Sequence, residues 1–115
     1  MKLEELKDLI DLSKFKNDCV SVAYELLYYF NDGDVVCFKN KGGIFYTLRI
    51  LNSSEKFTHH AVYVKDLIMY DLLYNISMSI KEYAEKLDIL NKPNGIRVDT
   101  VISTNYFGIT TDKGA

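Results

Sequence analysis

Residues with the chemistry of a cysteine hydrolase occur in order along this chain. Cys19 comes first, the adjacent pair His59 and His60 follows, and Asp71 comes next. A cysteine attacks a carbonyl carbon as its thiolate, so it needs an imidazole nearby to take its proton and later pass one to the leaving group. The imidazole in turn needs an acceptor that fixes its tautomer and orientation. The order therefore predicts a nucleophile, a base drawn from the two histidines, and an orienting aspartate.

The segment around Cys19 predicts a helix that begins at the cysteine. Asn17 and Asp18 are both good N-cap residues. Apolar residues then recur at helical spacing, at Cys19, Val22, Ala23, Leu26, Leu27 and Phe30. The first N–H groups of a helix favour negative charge and hence a thiolate. They could also meet an oxyanion, with Asn17 as a supporting side-chain donor. Cys37, in a β-rich run, is expected to be a core thiol.

The histidine pair lies in a segment that predicts a β-hairpin. A two-residue turn at Lys65-Asp66 places His60 directly opposite Asp71. A three-residue loop shifts the register and puts His59 on the face of Asp71 instead. Adjacent strand residues point to opposite faces, so at least one of the two histidines is expected to be structural. The residues leave both registers open.

The remaining segments predict the elements that must position these side chains. Helices are expected over 3–15 and over 76–90, the latter capped by Ser77 or Ser79, and the helix that begins at Cys19 is expected to end near Gly33. Strands are expected over 34–39, 44–51, 57–64, 67–73 and 96–102, with a loop over 52–56. This order predicts an α+β fold with the helices packed on one side of a mostly antiparallel sheet.

Composition sets limits on the function. The chain has 115 residues, of which 48% are hydrophobic, and a net charge of -2. These values favour one globular domain over 1–115, with a catalytic-type core over about 17–102 and a loose tail from about 112. Without a basic excess or a long apolar run, neither nucleic acid nor a membrane is an expected partner. The N-terminal residues do not resemble a secretory signal, so we expect a cytoplasmic protein.

Neither a cofactor nor a metal is expected. The two cysteines do not make a disulfide framework and are expected to be reduced thiols. The cysteines and histidines also lack the spacings of zinc ligands, and the glycines form no phosphate-binding motif.

Three motifs together resemble the papain-fold toxin domains of bacterial polymorphic toxin systems. Those domains have a cysteine at the head of a helix, a strand of the form H-x-G-[IV]-x-V, and a strand ending in an aromatic residue and Asp. The corresponding segments here are Asn17–Ala23, Thr58–Val64 and Ile68–Asp71. The resemblance spans roughly residues 18–90. It departs from the family pattern at Ala61, where the family has Gly, and at Leu72, where Asn is frequent.

The resemblance implies a papain-like fold, with N-terminal helices packed on a mostly antiparallel sheet. It implies a cysteine hydrolase or transferase acting on an amide or thioester carbonyl, with Cys19 as nucleophile and Asp71 orienting the imidazole. The motif aligns His59 with the family's histidine, and His60 stays as the near-equal alternative. The implied role is a toxin or effector, which could be delivered into a target cell, acts on a host protein and is accompanied by an immunity protein. The alternative is a non-enzymatic protein-binding module on the same fold, such as a phage-borne inhibitor or an immunity-like protein.

Overall fold

The structure is a computed structural model, and it describes residues 1–15, 18–41, 43, 45–48, 54–57, 59–103 and 112–113. The α-helices of this part of the chain are α1 (Leu3–Lys7), α2 (Cys19–Phe30) and α3 (Ile80–Asn91). The strands are β1 (Asp34–Lys39), β2 (Phe45–Leu48), β3 (Ser54–Phe57), β4 (His59–Lys65), β5 (Ile68–Asp71), β6 (Ile76–Ser79), β7 (Asp99–Ser103) and β8 (Asp112–Lys113). The predicted α+β class is confirmed.

The main sheet has the strand order β6-β5-β4-β1-β7-β8, and its neighbouring strands pair antiparallel. The two-residue strand β8 forms one edge. Strands β2 and β3 form a separate two-stranded sheet. Because β4 and β5 are antiparallel neighbours, the start of β4 and the end of β5 lie at the same end of the sheet. That end carries the histidine pair and Asp71.

The helices cover both faces of the sheet, so the prediction that they all lie on one side is wrong. One cluster of buried residues joins α1 and α2 to one face, through residues such as Leu26, Val35 and Tyr63. The other cluster joins α3 to the opposite face, through residues such as Val62, Tyr83 and Leu87. The central strand shows why: from His60 to Val64 every residue of β4 is buried. A strand with one wet face would alternate instead.

The β4–β5 hairpin turns one residue later than predicted. Lys65 pairs with Ile68, so the two-residue turn is Asp66-Leu67 rather than Lys65-Asp66. Both turn residues have positive φ, 52° and 67°, as a type I′ turn requires. Continuing this register places Asp71 opposite Val62, with His60 as its diagonal neighbour on the same face. Of the two loop lengths that the sequence left open, the structure has the two-residue one, and this register keeps His60 on the face of Asp71.

Local signals fix the helix that carries the cysteine. Asp18 is the N-cap of α2, and its carboxylate accepts a hydrogen bond from the backbone N–H of Ser21 at 3.1 Å. The helix ends at Phe30, close to the predicted end near Gly33, and its C-cap residue Asn31 takes a left-handed conformation (φ 52°). Gly33 also has a positive φ, 100°. A Cβ at this position would lie 2.7 Å from the Tyr63 hydroxyl oxygen, so the space around the residue requires glycine as well.

Several other predicted boundaries differ from the structure. The predicted first helix divides into α1 and a short 3-10 turn at Leu12–Lys14. Part of the predicted loop over 52–56 lies in strand β3. The helix predicted over 76–90 begins only at Ile80, after strand β6. Ser79 caps α3 by accepting a hydrogen bond from the Glu82 N–H at 3.1 Å. In the predicted loose tail, Asp112–Lys113 pair with β7 as β8, and the neighbouring tail residues lie outside the described part.

Among the helices of the described residues, none combines the length and the apolar character that crossing a bilayer requires.

Candidate active site

Cys19 is the first residue of α2, and its side chain is buried with 8% of its surface exposed. Its position follows from the local sequence, since Asp18 caps the helix and Val22 and Ala23 continue the stripe that packs on β4. The sulfur lines a narrow crevice in which Asp71 also takes part. The nucleophile predicted from the sequence therefore lies beside the predicted carboxylate.

His60 and Asp71 form a buried pair. His60 Nε2 and Asp71 Oδ2 are 2.7 Å apart, and the two side chains keep 0% and 2% of their surface exposed. Because a carboxylate only accepts hydrogen bonds, His60 Nε2 carries a proton and donates a hydrogen bond to Asp71. The second ring nitrogen, Nδ1, is also buried, and it remains as the atom that can meet the Cys19 thiol.

The protonation of His60 is set by its two neighbours. Burial alone lowers the pKa of the His60 imidazole, but hydrogen bonds to Asp71 and Cys19 and the charges of both groups outweigh burial. The net effect raises the pKa of His60 from 6.5 to about 9. The ring is therefore an imidazolium at neutral pH.

The Asp71 carboxylate is held on both of its oxygens. Oδ2 accepts from His60, and Oδ1 accepts from the backbone N–H of Tyr74 at 3.2 Å. The Tyr74 ring lies beside the imidazole, with 5.5 Å between ring centroids and 33° between their planes. Tyr74 is not among the residues predicted from the sequence. The signal was present, because an aspartate that opens a turn commonly binds a backbone N–H further along the turn.

Two further aromatic residues, Phe38 and Tyr83, lie near the pair on the α3 side. Phe38 lies directly opposite His60 in the β1–β4 register and makes an edge contact with Tyr83, at 5.4 Å between centroids. Burial raises the pKa of the Tyr83 hydroxyl well above its ordinary value, and the charges of Asp71 and Cys19 add to the rise. Tyr83 therefore lies in the electrostatic field of the site. Its hydroxyl is paired with Thr47 at 3.1 Å.

His59 has a different environment from His60. It is exposed at the start of β4, opposite Lys39 of β1. Hydrogen bonds from the Ser21 hydroxyl and backbone N–H lower the pKa of Asp18, and the charge of His59 adds to that effect. His59 thus lies near the cap of α2 at the surface. Of the two histidines, the one that the structure joins to Asp71 and Cys19 is His60.

Asn17, the predicted support for an oxyanion, lies outside the described residues. Cys37 lies in β1 opposite Ala61 and is partly buried, and within the described residues neither it nor Cys19 is part of a disulfide. No group of three or more metal-ligating side chains occurs within the described ranges.

Comparison of the chain with protein-family models, with curated proteins and with solved structures finds no match. The chemistry of the site therefore rests on its own geometry: a thiol at a helix start, beside a carboxylate that holds one nitrogen of a buried imidazole.

Proposed function

We propose that the chain is a papain-like cysteine hydrolase or acyl transferase that acts on an amide or thioester carbonyl. The observation that carries the proposal is the buried His60–Asp71 hydrogen bond, 2.7 Å long, whose imidazole also interacts with Cys19. Cys19 is the nucleophile, His60 the general acid and base, and Asp71 the residue that orients the imidazole. His60 takes the role for which the family resemblance favours His59.

The steps follow from these roles. The Cys19 thiolate adds to the carbonyl carbon, and the His60 imidazolium gives its Nδ1 proton to the departing amine or thiol. The acyl group is then bound to the Cys19 sulfur as a thioester. Water, or an acceptor amine in a transferase, attacks this thioester, and neutral His60 takes a proton from the attacking molecule. The sulfur leaves as thiolate, and the imidazolium is restored.

The oxyanion of the tetrahedral intermediate requires donors close to the sulfur. The backbone N–H of Cys19 belongs to the first turn of α2, where helix N–H groups point toward the helix start and favour negative charge. Asp18 directs its own carboxylate to Ser21, with both oxygens engaged at 3.1 and 2.6 Å. We therefore assign the Cys19 N–H to the oxyanion, with Asn17 as the second donor expected from the sequence.

The biological role that fits this site is a toxin or effector that modifies a protein of its target cell. A protein of this kind needs an inhibitory partner where it is made, and a small immunity protein is the expected companion. Growth tests address this role: inducing the wild-type chain in bacteria should slow growth, and inducing Cys19→Ala should not. If both chains are equally harmless, the toxin role fails.

The competing hypothesis is a protein-binding module on the same fold. Two adjacent tyrosines of α2, Tyr28 and Tyr29, keep 57% and 59% of their surfaces exposed, and exposed tyrosine is enriched in protein interfaces. A binder of this kind needs no reactive thiol, so the reactivity of Cys19 separates the two hypotheses.

Alkylation of Cys19 by iodoacetamide tests the catalytic proposal. An ordinary thiol, with a pKa of about 8.5, slows by roughly a hundredfold between pH 8.5 and pH 6 because its thiolate is lost. Cys19 beside the imidazolium should slow by less than about tenfold over that range. Mass spectrometry of the alkylated peptide gives the rate at each pH.

Three variants complete the experiment. Cys19→Ser reports the background from Cys37, which should behave as an ordinary or protected thiol. His60→Gln and Asp71→Asn should each slow the alkylation of Cys19 at pH 6 by about tenfold or more. The first removes the imidazolium charge, and the second removes the carboxylate that stabilises this charge. Asp11→Asn changes an exposed carboxylate in the 3-10 segment and should leave the rate unchanged. A wild-type rate that falls a hundredfold by pH 6 would contradict the proposal.

A further inference from the structure

Tyr74 touches both members of the His60–Asp71 pair. Its backbone N–H donates to Asp71 Oδ1 at 3.2 Å, and its ring lies 5.5 Å from the imidazole centroid. We propose that Tyr74 is a positioning residue: its backbone N–H holds the Asp71 carboxylate in place, and its ring shields the His60–Asp71 hydrogen bond from water. Its catalytic meaning rests on the proposed function, but the shielding itself can be measured without any substrate.

Exposed fractions indicate where the ring lies. His60 keeps 0% and Asp71 3% of its surface, whereas Tyr74 keeps 7%. All three residues are buried, and Tyr74 is the most exposed of them, which fits a ring that lies between the pair and solvent. Excluding water matters here because a hydrogen bond between charged groups strengthens as the local dielectric falls. The face of an aromatic ring also attracts a neighbouring cation, which an aliphatic side chain of equal size does not.

The turn that carries Tyr74 is held from a second direction. Asn75 follows with a positive φ of 60°, and its side-chain oxygen accepts a hydrogen bond from the Lys7 ammonium. Lys7 ends α1, whose Leu6 is fully buried in the core that α2 also enters. The turn is therefore tied to α1 by this exposed hydrogen bond as well as to Asp71 by the Tyr74 backbone.

A nuclear magnetic resonance measurement on the wild-type protein is the first test. With ¹⁵N-labelled histidine, the His60 Nε2–H proton should give a resolved signal at neutral pH because its exchange with water is slow. That proton or its ring neighbours should also show cross-relaxation with the Tyr74 ring protons. Absence of cross-relaxation between the two rings would overturn the proposal without any variant.

Substitutions at Tyr74 separate the ring from simple packing. Tyr74→Phe keeps an aromatic ring and should leave the exchange rate of the His60 Nε2–H within about twofold of wild type. Tyr74→Leu and Tyr74→Met fill similar space without a ring, and each should speed exchange by about tenfold or more. Circular dichroism and thermal melting identify the variants that fold. If a folded Leu or Met variant exchanges as slowly as wild type, Tyr74 is only a packing residue.

The pH profile of Cys19 alkylation connects this result to the proposed function. In the folded Leu or Met variant, the rate of Cys19 alkylation at pH 6, as a fraction of the rate at pH 8.5, should be lower than in Tyr74→Phe. If wild-type Cys19 is itself unreactive at pH 6, the proposed function fails, and the proton-exchange result still decides whether Tyr74 shields the pair. If exchange accelerates but alkylation does not change, the ring excludes water from the pair without affecting the reactivity of Cys19, and the catalytic meaning of Tyr74 is overturned while its shielding of the pair stands.

Discussion

At the scale of single residues, the most informative group is a histidine that is buried and yet favours its charged form. Burial alone would keep His60 neutral, and only its contacts with Asp71 and Cys19 reverse that preference. A buried charge is tolerated when it is paired and hydrogen-bonded. This balance could not be read from the sequence, because two adjacent histidines give no sign of which one is buried. The strand register, set by turn residues Asp66 and Leu67, decides the matter.

The raised pKa of His60 predicts how stability depends on pH. Between the unfolded value of 6.5 and the folded value of about 9, the folded chain binds more protons at this site than the unfolded chain. Its contribution, on the order of 3 kcal/mol, is fully present below pH 6.5 and is lost as pH rises through about 9. Urea unfolding at a series of pH values measures this loss.

His60→Gln is the matched variant for that experiment. The glutamine amide can still donate to Asp71 but does not titrate, so the decline in stability between pH 6.5 and 9 should flatten. His59→Gln should keep the decline, because His59 is exposed. An equally steep decline in His60→Gln and in wild type would show that another group is responsible.

At the scale of elements, the start of α2 and the β4–β5 hairpin do most to build the site. The start of α2 was predictable, since Asp18 is a good cap and the apolar stripe begins at Cys19. The α3 cap at Ser79 was predictable for the same reason. Strand β6 was not, because Ile76–Ser79 has the composition of a helix start and becomes a strand only through its pairing with β5. The pairing is a tertiary contact, which overrides local preference.

The tip of the β4–β5 hairpin holds a strained residue. Leu67 has φ 67° and leaves 74% of its side chain exposed. A left-handed conformation costs a residue with a Cβ roughly 1 kcal/mol, whereas glycine adopts it freely. We expect Leu67→Gly to stabilise the fold by about 1 kcal/mol, as a rise in the urea midpoint.

Leu67→Ala is the control for that variant. It removes the exposed apolar surface but keeps the Cβ, so it should leave the midpoint almost unchanged. If alanine stabilises as much as glycine, the gain comes from removing exposed apolar surface, and the strain argument is wrong.

At the scale of the whole molecule, one sheet separates two cores. The unbroken apolar run Ala61–Val64 was a readable sign of a strand covered on both faces. The stripe of Tyr83 and Leu87 was equally readable. What the sequence did not show is which face α3 would take, because β4 offers apolar residues on both. That choice depends on the connection through β5 and β6, a global property.

The buried side chain of Asn91 in α3 hydrogen-bonds the smaller sheet. Asn91 Oδ1 accepts from the Tyr46 N–H at 2.7 Å, and its Nδ2 donates to the Tyr46 and Leu87 carbonyl oxygens, each at 2.8 Å. Asn91→Ala leaves these backbone groups of β2 unpaired, and we expect a loss of about 3 kcal/mol in the free energy of unfolding. Hydrogen exchange should show lost protection at Tyr46.

Ile89→Ala is the control on the same helix, since Ile89 is 72% exposed and its truncation should change stability by less than about 0.5 kcal/mol. If Asn91→Ala unfolds no more easily than Ile89→Ala, then apolar packing rather than Asn91 holds the small sheet.

The proposed acid and base belong to one hairpin, 11 residues apart, whereas the proposed nucleophile lies on a helix made much earlier. Short hairpins close within microseconds, far faster than a ribosome adds residues. During synthesis the cysteine segment therefore emerges first and waits as an ordinary thiol until Asp71 has left the exit tunnel. If the proposed activity is harmful, it is silent in every chain that ends before Asp71, and a producing cell needs protection only after that point of synthesis.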